Sequence, residues 1–290
     1  SGIVILLGIG SLATRGLNYG VDFTGGRSYI VRFDETFAVG EIASVLTDEF
    51  VNEDNLKVAP EVKTYGSSNQ VKITTKFMID SEDESADEVV ESKLKEGLAK
   101  VTPEFEIMSS QKVGPTVADD IKQGAIWAVL FSLIVIFLYI ILRFRKWKFG
   151  VGALAAMFHD VLIVLSFYSI LYGFMPFSLE IDQAFIAAIL TVVGYSINDT
   201  VIVFDRIREF IGLHKKKDQE IVINDALNST LSRTLITSMT TLLVLLMIFF
   251  FGGEVIRGFV FALIIGVIVG TYSSLCVATP LVVDLAKKNK

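Results

Sequence analysis

A stretch of 26 residues, 183–208, is apolar enough to cross a lipid bilayer and yet carries an acidic residue deep inside it. Asp199, preceded by Asn198, is the only charged residue among the first 22 positions. A carboxylate near the middle of a spanning helix costs roughly 2.5–3.5 kcal/mol on insertion scales, so its presence there indicates a function. A purely structural role, in which the polar group only joins two helices, is the alternative. Thr191, Tyr195 and Asn198 follow at helical spacing, so this flank is predicted to face protein or water.

The composition and the uneven charge indicate an integral membrane protein with a separate acidic domain. Hydrophobic residues make up 52% of the 290 residues, more than is usual for a soluble enzyme. Acidic residues outnumber basic ones about two to one in residues 15–120, whereas basic residues are in excess elsewhere. The only cysteine, Cys276, lies in an apolar run, so a framework of intrachain disulfides is excluded.

Predominantly apolar runs of about 20 residues or more predict five complete membrane crossings. They lie at residues 123–142, 149–172, 183–204, 234–253 and 258–283. A shorter apolar run at 3–13 is expected to be the remainder of a first crossing that the start of this chain interrupts. A signal peptide is not expected, because the run lacks a basic beginning and a small-residue cleavage site. The pattern therefore predicts an α-helical integral membrane protein with six spans.

Basic residues set the predicted orientation. Clusters of Lys and Arg follow the second, fourth and sixth predicted crossings, and Arg233 precedes the fifth. All of them fall on one side of the membrane, which the positive-inside rule assigns to the cytoplasm. We therefore predict a truncated first transmembrane helix, a periplasmic domain, a five-helix transmembrane domain and a cytoplasmic tail, at residues 1–14, 15–120, 121–286 and 287–290.

The acidic segment has the pattern of a ferredoxin-like α+β domain. Residue spacing predicts strand, helix, strand, strand, helix and strand, the split arrangement of that fold. The predicted limits are 28–33, 39–50, 56–62, 71–77, 81–101 and 105–113. Ser81 and Glu84 form a possible capping box for the second helix. The segment has no His or Cys, so neither a catalytic nor a metal site is expected. Its acidic run at 80–91 is interpreted as a solvated helix face, with a specific docking patch as the alternative.

Glycine and proline mark both ends of this domain. Gly25 and Gly26 are expected to allow a tight approach of the chain, and Gly114 with Pro115 ends the domain. We predict that these four residues form hinges. Residues 117–123 are expected to form an amphipathic entry to the membrane.

Four ionisable residues on three predicted helices lie at similar membrane depths. At about 1.5 Å per residue, Asp199 lies roughly 10 Å inside the cytoplasmic surface, and His159 and Asp160 lie roughly 15 Å inside. Arg233 begins the fifth crossing. We hypothesise that Asp199 takes up and releases a proton while Arg233 acts as an intermittent counter-ion, because an unpaired charge there is expensive. Asn198, beside the acid, belongs to the predicted coupling set. A snorkelling interfacial anchor for Arg233 and a structural role for His159 remain alternatives.

The sixth predicted crossing carries small residues at every fourth position, a pattern that lets another helix approach closely. These residues are Gly258, Ala262, Gly266, Gly270, Ser274 and Ala278. Chance enrichment of glycine in membrane helices explains two such positions more easily than six. We therefore predict a helix-packing stripe.

Several blocks of this sequence resemble one known family. They are VDFTGG at 21–26, VGP at 113–115, FHD at 158–160, GYSINDTVIVFDRIRE at 194–209, SRTLITSMTTLL at 232–243 and FGGEVIRGFVFALIIGVIVGTYSS at 251–274. These blocks resemble the SecF branch of the SecD/SecF protein-export family, within the resistance-nodulation-division superfamily. They touch the third, fourth, fifth and sixth predicted crossings, and the block at 194–209 is the most specific. One departure follows VGP, where the family usually has a glycine and this chain has Thr116, Val117 and Ala118.

The resemblance implies a six-span half-transporter that pairs with SecD, on a separate chain or as the other half of a fused one. It implies a bacterial inner-membrane protein that uses the proton or sodium gradient to promote export of a translocating polypeptide. The channel SecY/SecE/SecG, with YajC and YidC, is then an expected partner, and the family's coupling role carries over to Asp199 and Arg233. No enzymatic activity, cofactor, metal or nucleic-acid partner is expected. The sequence has no GxxxxGK nucleotide motif.

Two other functions remain possible at this point. A small-molecule or lipid exporter of the same superfamily shares intramembrane charges but normally carries much larger external domains. A passive assembly scaffold of the export channel explains the small-residue stripe but gives Asp199 and Arg233 no role.

Overall fold

A computed structural model describes residues 1–52, 55–81 and 85–287, and the chain forms two compact units. The sheet unit contains Asn18–Ala125 and Tyr172–Gln183. The helical unit contains Ser1–Leu17, Ile126–Leu171 and the described part of Ala184–Lys290.

The elements are numbered in chain order. The first are α1 (Gly2–Thr14), α2 (Val21–Thr24), β1 (Gly26–Phe33), α3 (Val39–Glu49), β2 (Glu61–Thr64), β3 (Gln70–Thr75), α4 (Ala86–Val101) and β4 (Phe105–Val113). The helices that follow are α5 (Pro115–Phe144), α6 (Trp147–Leu171), α7 (Gln183–Leu213), α8 (Gln219–Phe251), α9 (Glu254–Ser273), a π-helix (Ser274–Ala278) and α10 (Thr279–Lys287).

The sheet unit has the predicted ferredoxin-like architecture. Its strands form one antiparallel sheet in the order β2-β3-β1-β4. Apolar residues of β1, β3, α3 and α4 form a shared core, so both helices cover the same face of the sheet. The fully buried members include Val31, Phe33, Ile42, Leu46, Ile73, Leu94 and Leu98. The order of elements expected from residue spacing is confirmed.

The second strand is displaced from its predicted position at 56–62. Asn55 has a positive φ of 58°, so the chain turns just before this segment. Lys57 makes only an isolated bridge to Val51, and Pro60 lacks the N–H that a ladder requires. Regular pairing therefore starts only at the first residue of β2.

The second helix of the sheet unit also starts later than predicted. It begins at Ala86, five residues after Ser81, with Ser85 at the N-cap position. The predicted capping box cannot be assessed, because Glu84 lies outside the described residues. β1, in contrast, begins two residues earlier than predicted, at Gly26.

Two glycines carry the chain from α2 into β1. Gly25 and Gly26 have positive φ angles of 66° and 139°. A Cβ atom on Gly26 would lie 3.1 Å from the carbonyl oxygen of Thr75, and one on Gly25 would lie 3.4 Å from Pro115 Cα. Glycine tolerates both the conformation and the close approach. At the other end, Gly114 precedes Pro115, the first residue of α5, where proline is well suited. The hinge role of these residues stays a prediction.

A buried aspartate in α2 caps the helix that carries Asp199. Asp22 accepts one hydrogen bond from the side-chain amide of Gln111, at 2.8 Å, and one from the backbone N–H of Gln183, at 3.0 Å. Gln183 is the first residue of α7, so this carboxylate pairs one of the N–H groups that a helix start leaves free. The segment before α7, predicted only as an outer loop, belongs to the sheet unit.

Five helices among the described residues are long and apolar enough to cross a membrane: α5, α6, α7, α8 and the helix that runs from α9 through α10. This agrees with a multi-pass membrane protein. The shorter α1 packs closely on α6, where a Cβ atom on Gly8 would lie 1.8 Å from Ser166 Oγ.

α5 is one continuous helix from Pro115, so residues 117–123, the predicted amphipathic entry, form its beginning. Ala118 and Ile121 pack against Val21 and Val113, while Asp119, Asp120 and Lys122 are exposed. Entry to the membrane through this segment stays a prediction.

Arg233 does not begin the fifth membrane helix, as the sequence had suggested. α8 has 33 residues and starts at Gln219, where the Asp218 side chain accepts from the backbone N–H of Glu220 at 3.0 Å. The uncharged run at 234–253 marks only the part of α8 that can enter lipid. The helix itself begins 15 residues before that run. Arg233 therefore lies inside a continuous helix.

The sixth predicted crossing is interrupted by a π-helix. α9 ends at Ser273, and the next five residues form wider turns before α10 begins. A Cβ atom on Gly152 of α6 would lie 2.9 Å from the carbonyl oxygen of Ala278, so α6 approaches this π-helix closely. π-Helical turns often occur at functional sites.

The predicted small-residue stripe includes the contact between α9 and α7. A Cβ atom on Gly266 would lie 2.1 Å from Val192 Cγ2, and one on Gly270 would lie 3.0 Å from Ser196 Cβ. The other members are also placed at contacts. The carbonyl oxygen of Gly258 accepts from the Tyr168 hydroxyl at 2.6 Å, and Ala262, Ser274 and Ala278 are fully buried.

Candidate functional site

Asp160 joins three membrane helices through hydrogen bonds. It lies in α6 and is fully buried. Its Oδ2 accepts from Ser196 of α7 at 2.6 Å and from Ser273 of α9 at 2.8 Å. Its Oδ1 lies 3.0 Å from Nδ1 of His159. With three polar partners, this carboxylate is well satisfied and ties α6, α7 and α9 together.

Asp199 lies nearby on α7 in a different setting. It is 2% exposed, and Ser238 of α8 lies within hydrogen-bonding reach of its carboxylate. Ser238 Oγ is in turn 2.6 Å from Thr271 Oγ1 of α9. Ser196, which donates to Asp160, is three residues before Asp199 on α7 and so lies on the same side of that helix. The neighbourhoods of Asp199 and Asp160 therefore form one polar layer across four helices. The polar layer consists of His159, Asp160, Ser196, Asp199, Ser238, Thr271 and Ser273.

Three buried polar atoms in this region have no hydrogen-bond partner among residues 1–52, 55–81 and 85–287. They are Asp199 Oδ2, Thr234 Oγ1 and His159 Nε2. Buried polar groups are nearly always paired with protein or ordered water, so each such atom marks a place where a small polar species fits. Asp199 is therefore only half satisfied, in contrast to Asp160.

Arg233 lies on the exposed side of α8 and not in the polar layer. It is close enough to Asp199 to act on it electrostatically, but the described chain contains no ion pair between the two side chains. Arg233 instead lines a cavity of about 330 Å³ between α7 and α8. The predicted convergence therefore holds for His159, Asp160 and Asp199, while Arg233 stands apart.

Asn198 is also outside the polar layer. It is exposed on the surface of this chain, as is Thr191, whose hydroxyl donates to its own helix backbone. Adjacent helix positions differ by about 100°, so Asn198 and Asp199 point in different directions. The flank of α7 that faces protein includes Ser196, Asp199 and Thr200 instead. The coupling roles of the predicted residues stay predictions.

Four hydroxyl residues of the polar layer were not predicted. Ser196, Ser238, Thr271 and Ser273 gave no signal by themselves, because Ser and Thr in membrane helices commonly bond to their own backbone. The one available signal is the four-residue spacing of buried Thr230, Thr234 and Ser238 on α8.

Comparisons with known proteins agree on one family. Residues 93–288 match the family described as protein export membrane protein SecD/SecF, C-terminal, and residues 10–36 match the SecD/SecF GG motif. The protein translocase subunit SecF of Rhodothermus marinus is 48% identical over 288 residues, with 98% of this chain and 89% of the relative covered. SecF of Haemophilus influenzae is 37% identical, with 100% and 83% covered.

A solved structure shows the same fold. The crystal structure of SecDF, a translocon-associated membrane protein from Thermus thermophilus, matches 99% of this chain at 34% identity and a TM-score of 0.82. This chain spans 37% of the length of that SecDF chain.

Proposed function

This chain belongs to the SecD/SecF family of protein export membrane proteins, as an accessory subunit of Sec translocation, and we propose that it promotes export by letting a proton bind and leave Asp199. The observation that carries the proposal is the incomplete pairing of this buried carboxylate. Asp199 is 2% exposed, and one of its two oxygens has no partner in the described chain.

The contrast with Asp160 supports a cycling role for Asp199 specifically. Asp160 already has three polar partners, so a proton gained there would disturb an arrangement that holds three helices. Asp199 has an unpaired oxygen that can accept a proton without breaking a hydrogen bond. A carboxylate that cycles between two charge states needs such freedom.

The membrane potential supplies enough energy for this cycle. Moving one elementary charge across 100 mV is worth about 2.3 kcal/mol. That energy shifts a two-state equilibrium by about fifty-fold. In our proposal, Arg233 is the counter-ion that approaches Asp199 in one state and stays in the α7–α8 cavity in the other. An approach of Arg233 favours the charged carboxylate, and separation favours the neutral acid.

The proposed assembly follows the relatives. We propose SecD as the direct partner, because the matching solved protein is a SecDF and this chain corresponds to 37% of it. The SecY/SecE/SecG channel, YajC, YidC and a translocating polypeptide complete the proposed set. We place the protein in the inner membrane, with the sheet unit periplasmic and the C-terminus cytoplasmic, from the distribution of Lys and Arg. The proposal includes no cofactor and no catalytic step, only a transported proton, with sodium as the other ion to test.

Asp199→Asn tests the function directly. The variant keeps the size of the side chain but cannot cycle between charge states, so we expect loss of the gradient-dependent part of export by SecD-containing vesicles. Asp225→Asn is the matched control, because it removes the same charge from an exposed position of α8.

The outcome separates the proton-cycling proposal from a passive scaffold. Gradient-dependent export that is unchanged in Asp199→Asn, with the SecD complex assembled, refutes the proposal. A passive scaffold predicts that result, together with loss of activity when the packing of α9 on α7 is disturbed.

A further inference from the structure

A stripe of buried hydroxyl groups on α8 ends at Asp199. Thr230, Thr234 and Ser238 are four residues apart, so they lie on one face of the helix. They are 6%, 1% and 7% exposed. Ser238 lies within hydrogen-bonding reach of the Asp199 carboxylate. The stripe therefore leads along α8 to the acid.

The other end of the stripe opens into the α7–α8 cavity. Most residues that line this cavity of about 330 Å³ are polar or charged, and Thr230 belongs to both its wall and the hydroxyl stripe. The charged residues of its wall are Asp205, Arg206, Glu209 and Arg233. At about 30 Å³ per water molecule, the volume accommodates roughly ten waters. Ile202, also in the wall, is three residues from Asp199 on α7 and so lies on the same side of that helix.

The hydroxyl stripe and the acid each contain one unpaired buried oxygen. Thr234 Oγ1 and Asp199 Oδ2 are both buried, and neither has a hydrogen-bond partner within the described ranges. Thr234 is one helical turn from Ser238, the residue that reaches Asp199. Because buried hydroxyls and carboxylates are almost always hydrogen-bonded, this pair points to a bound water between α7 and α8.

The spacing of the hydroxyls suits a file of single waters. Residues four apart on an α-helix are separated by about 6 Å along its axis. One water that bonds to two hydroxyls spans about 5.6 Å, at about 2.8 Å per hydrogen bond. One water on each side of Thr234 therefore completes a path from Thr230 to Asp199.

We propose that the α7–α8 cavity and Thr234 form the route by which protons leave Asp199 toward the end of the helical unit where Arg206 lies. Each water and the Thr234 hydroxyl accept a proton on one side and release one on the other. Thr234 thus ends with the proton count it began with, the carboxylic acid of Asp199 becomes a carboxylate, and its proton passes to water in the cavity. This route rests on the proposed function and adds Thr234 as its positioning residue.

Three variants of α8 test the role of the hydroxyl. Thr234→Val keeps the shape but removes the hydroxyl, and we expect proton uptake driven by an imposed pH gradient to fall about tenfold or more in vesicles that contain the SecD complex. Thr234→Ser restores the hydroxyl and should recover most of the rate. Thr240→Val is the matched control, since Thr240 is exposed on the same helix and its hydroxyl donates only to the Thr237 carbonyl oxygen.

Thiol labelling tests the cavity itself. In a Cys276→Ala background, Ile202→Cys should react with a charged, water-soluble thiol reagent added on the Arg206 side. Met239→Cys, on the exposed apolar face of α8, should not, because its thiol faces lipid. If the reagent leaves both the Ile202→Cys and the Met239→Cys variants unlabelled, the proposed route is wrong.

The results distinguish this route from the function on which it rests. Loss of activity in Asp199→Asn with normal proton uptake in Thr234→Val refutes the route and leaves the function intact. Normal activity in both variants refutes the function. If Thr234→Ser is as inactive as Thr234→Val while the complex stays assembled, the hydroxyl is not the working group and the route is wrong.

Discussion

Gly266→Ala tests how tightly α9 packs on α7. The new Cβ atom would lie 2.1 Å from Val192 Cγ2, well inside the 3.5–4.0 Å of a normal carbon contact. Val192 is β-branched and stiff in a helix, so it cannot easily turn away. Overpacking of this severity costs about 3 kcal/mol, and the higher helix propensity of alanine offsets about 1 kcal/mol. We therefore expect a net loss of about 2 kcal/mol in the free energy of unfolding, or a Tm lower by about 4–8 °C.

A double-mutant cycle in detergent identifies the contact responsible. Val192→Ala alone should cost about 2 kcal/mol, because the side chain is buried. Added to Gly266→Ala, it should leave a total loss of only about 1 kcal/mol, because the added methyl group fills the space that opens. Gly194→Ala is the control: a Cβ atom there meets nothing within 4 Å, so stability should not fall. Wild-type stability of Gly266→Ala, or additive losses in the double variant, would refute the packing inferred for these helices.

Three further predictions concern single groups. Ser273→Ala removes one of the hydroxyl donors to the buried carboxylate of α6 and should lower the free energy of unfolding by about 1–3 kcal/mol; an unchanged unfolding curve contradicts this. Gly26→Ala introduces a side chain at a φ of 139° and should lower Tm through a strain of about 1–3 kcal/mol; an unaltered Tm counts against it. The Lys112 ammonium, and after it the Arg27 guanidinium, holds the pKa of Asp87 below its usual range. The stability that Asp87 contributes is thus present above its unfolded pKa, about 3.9, and is lost as the pH falls through the lower folded value. In thermal unfolding of the intact protein, the difference in Tm between wild type and Asp87→Asn should shrink in that acidic range. A difference in Tm that does not change with pH would show that the pairing does not stabilise the fold.

The sequence was most informative where one physical requirement dominates. Long apolar runs predict membrane helices because a bilayer admits little else, and α5, α6, α7 and α9 lie where those runs are. It was less informative where packing decides. α8 begins at Gln219 because Val222, Ile223 and Ala226 are buried against neighbouring helices, although the segment is too polar to count as a span. The π-helix after Ser273 has no composition signal at all.

The candidate site was predictable in its charges and not in its partners. Asp199 and Asp160 stand out because a carboxylate in an apolar helix is costly. The hydroxyl residues around them do not stand out in the sequence. A serine such as Ser196 can donate its hydrogen bond either to its own helix backbone or to an acid on another helix, and only the packing of the helices determines which. The exposed position of Arg233 was missed for the same reason: depth along a helix can be counted in the sequence, but the direction of a side chain cannot.

The hydroxyls between Asp199 and α9 can be arranged in two directions, and each suits one charge state of the acid. Ser238 Oγ is 2.6 Å from Thr271 Oγ1, which is 2.8 Å from the carbonyl oxygen of Val267. When Asp199 is charged, Ser238 donates to it, and Thr271 donates to Ser238. When Asp199 is protonated, the acid donates to Ser238, Ser238 to Thr271, and Thr271 to Val267. Each hydroxyl has one proton to donate, so the two must turn together. A proton that binds Asp199 therefore changes hydrogen bonding on α9 before any helix has to move.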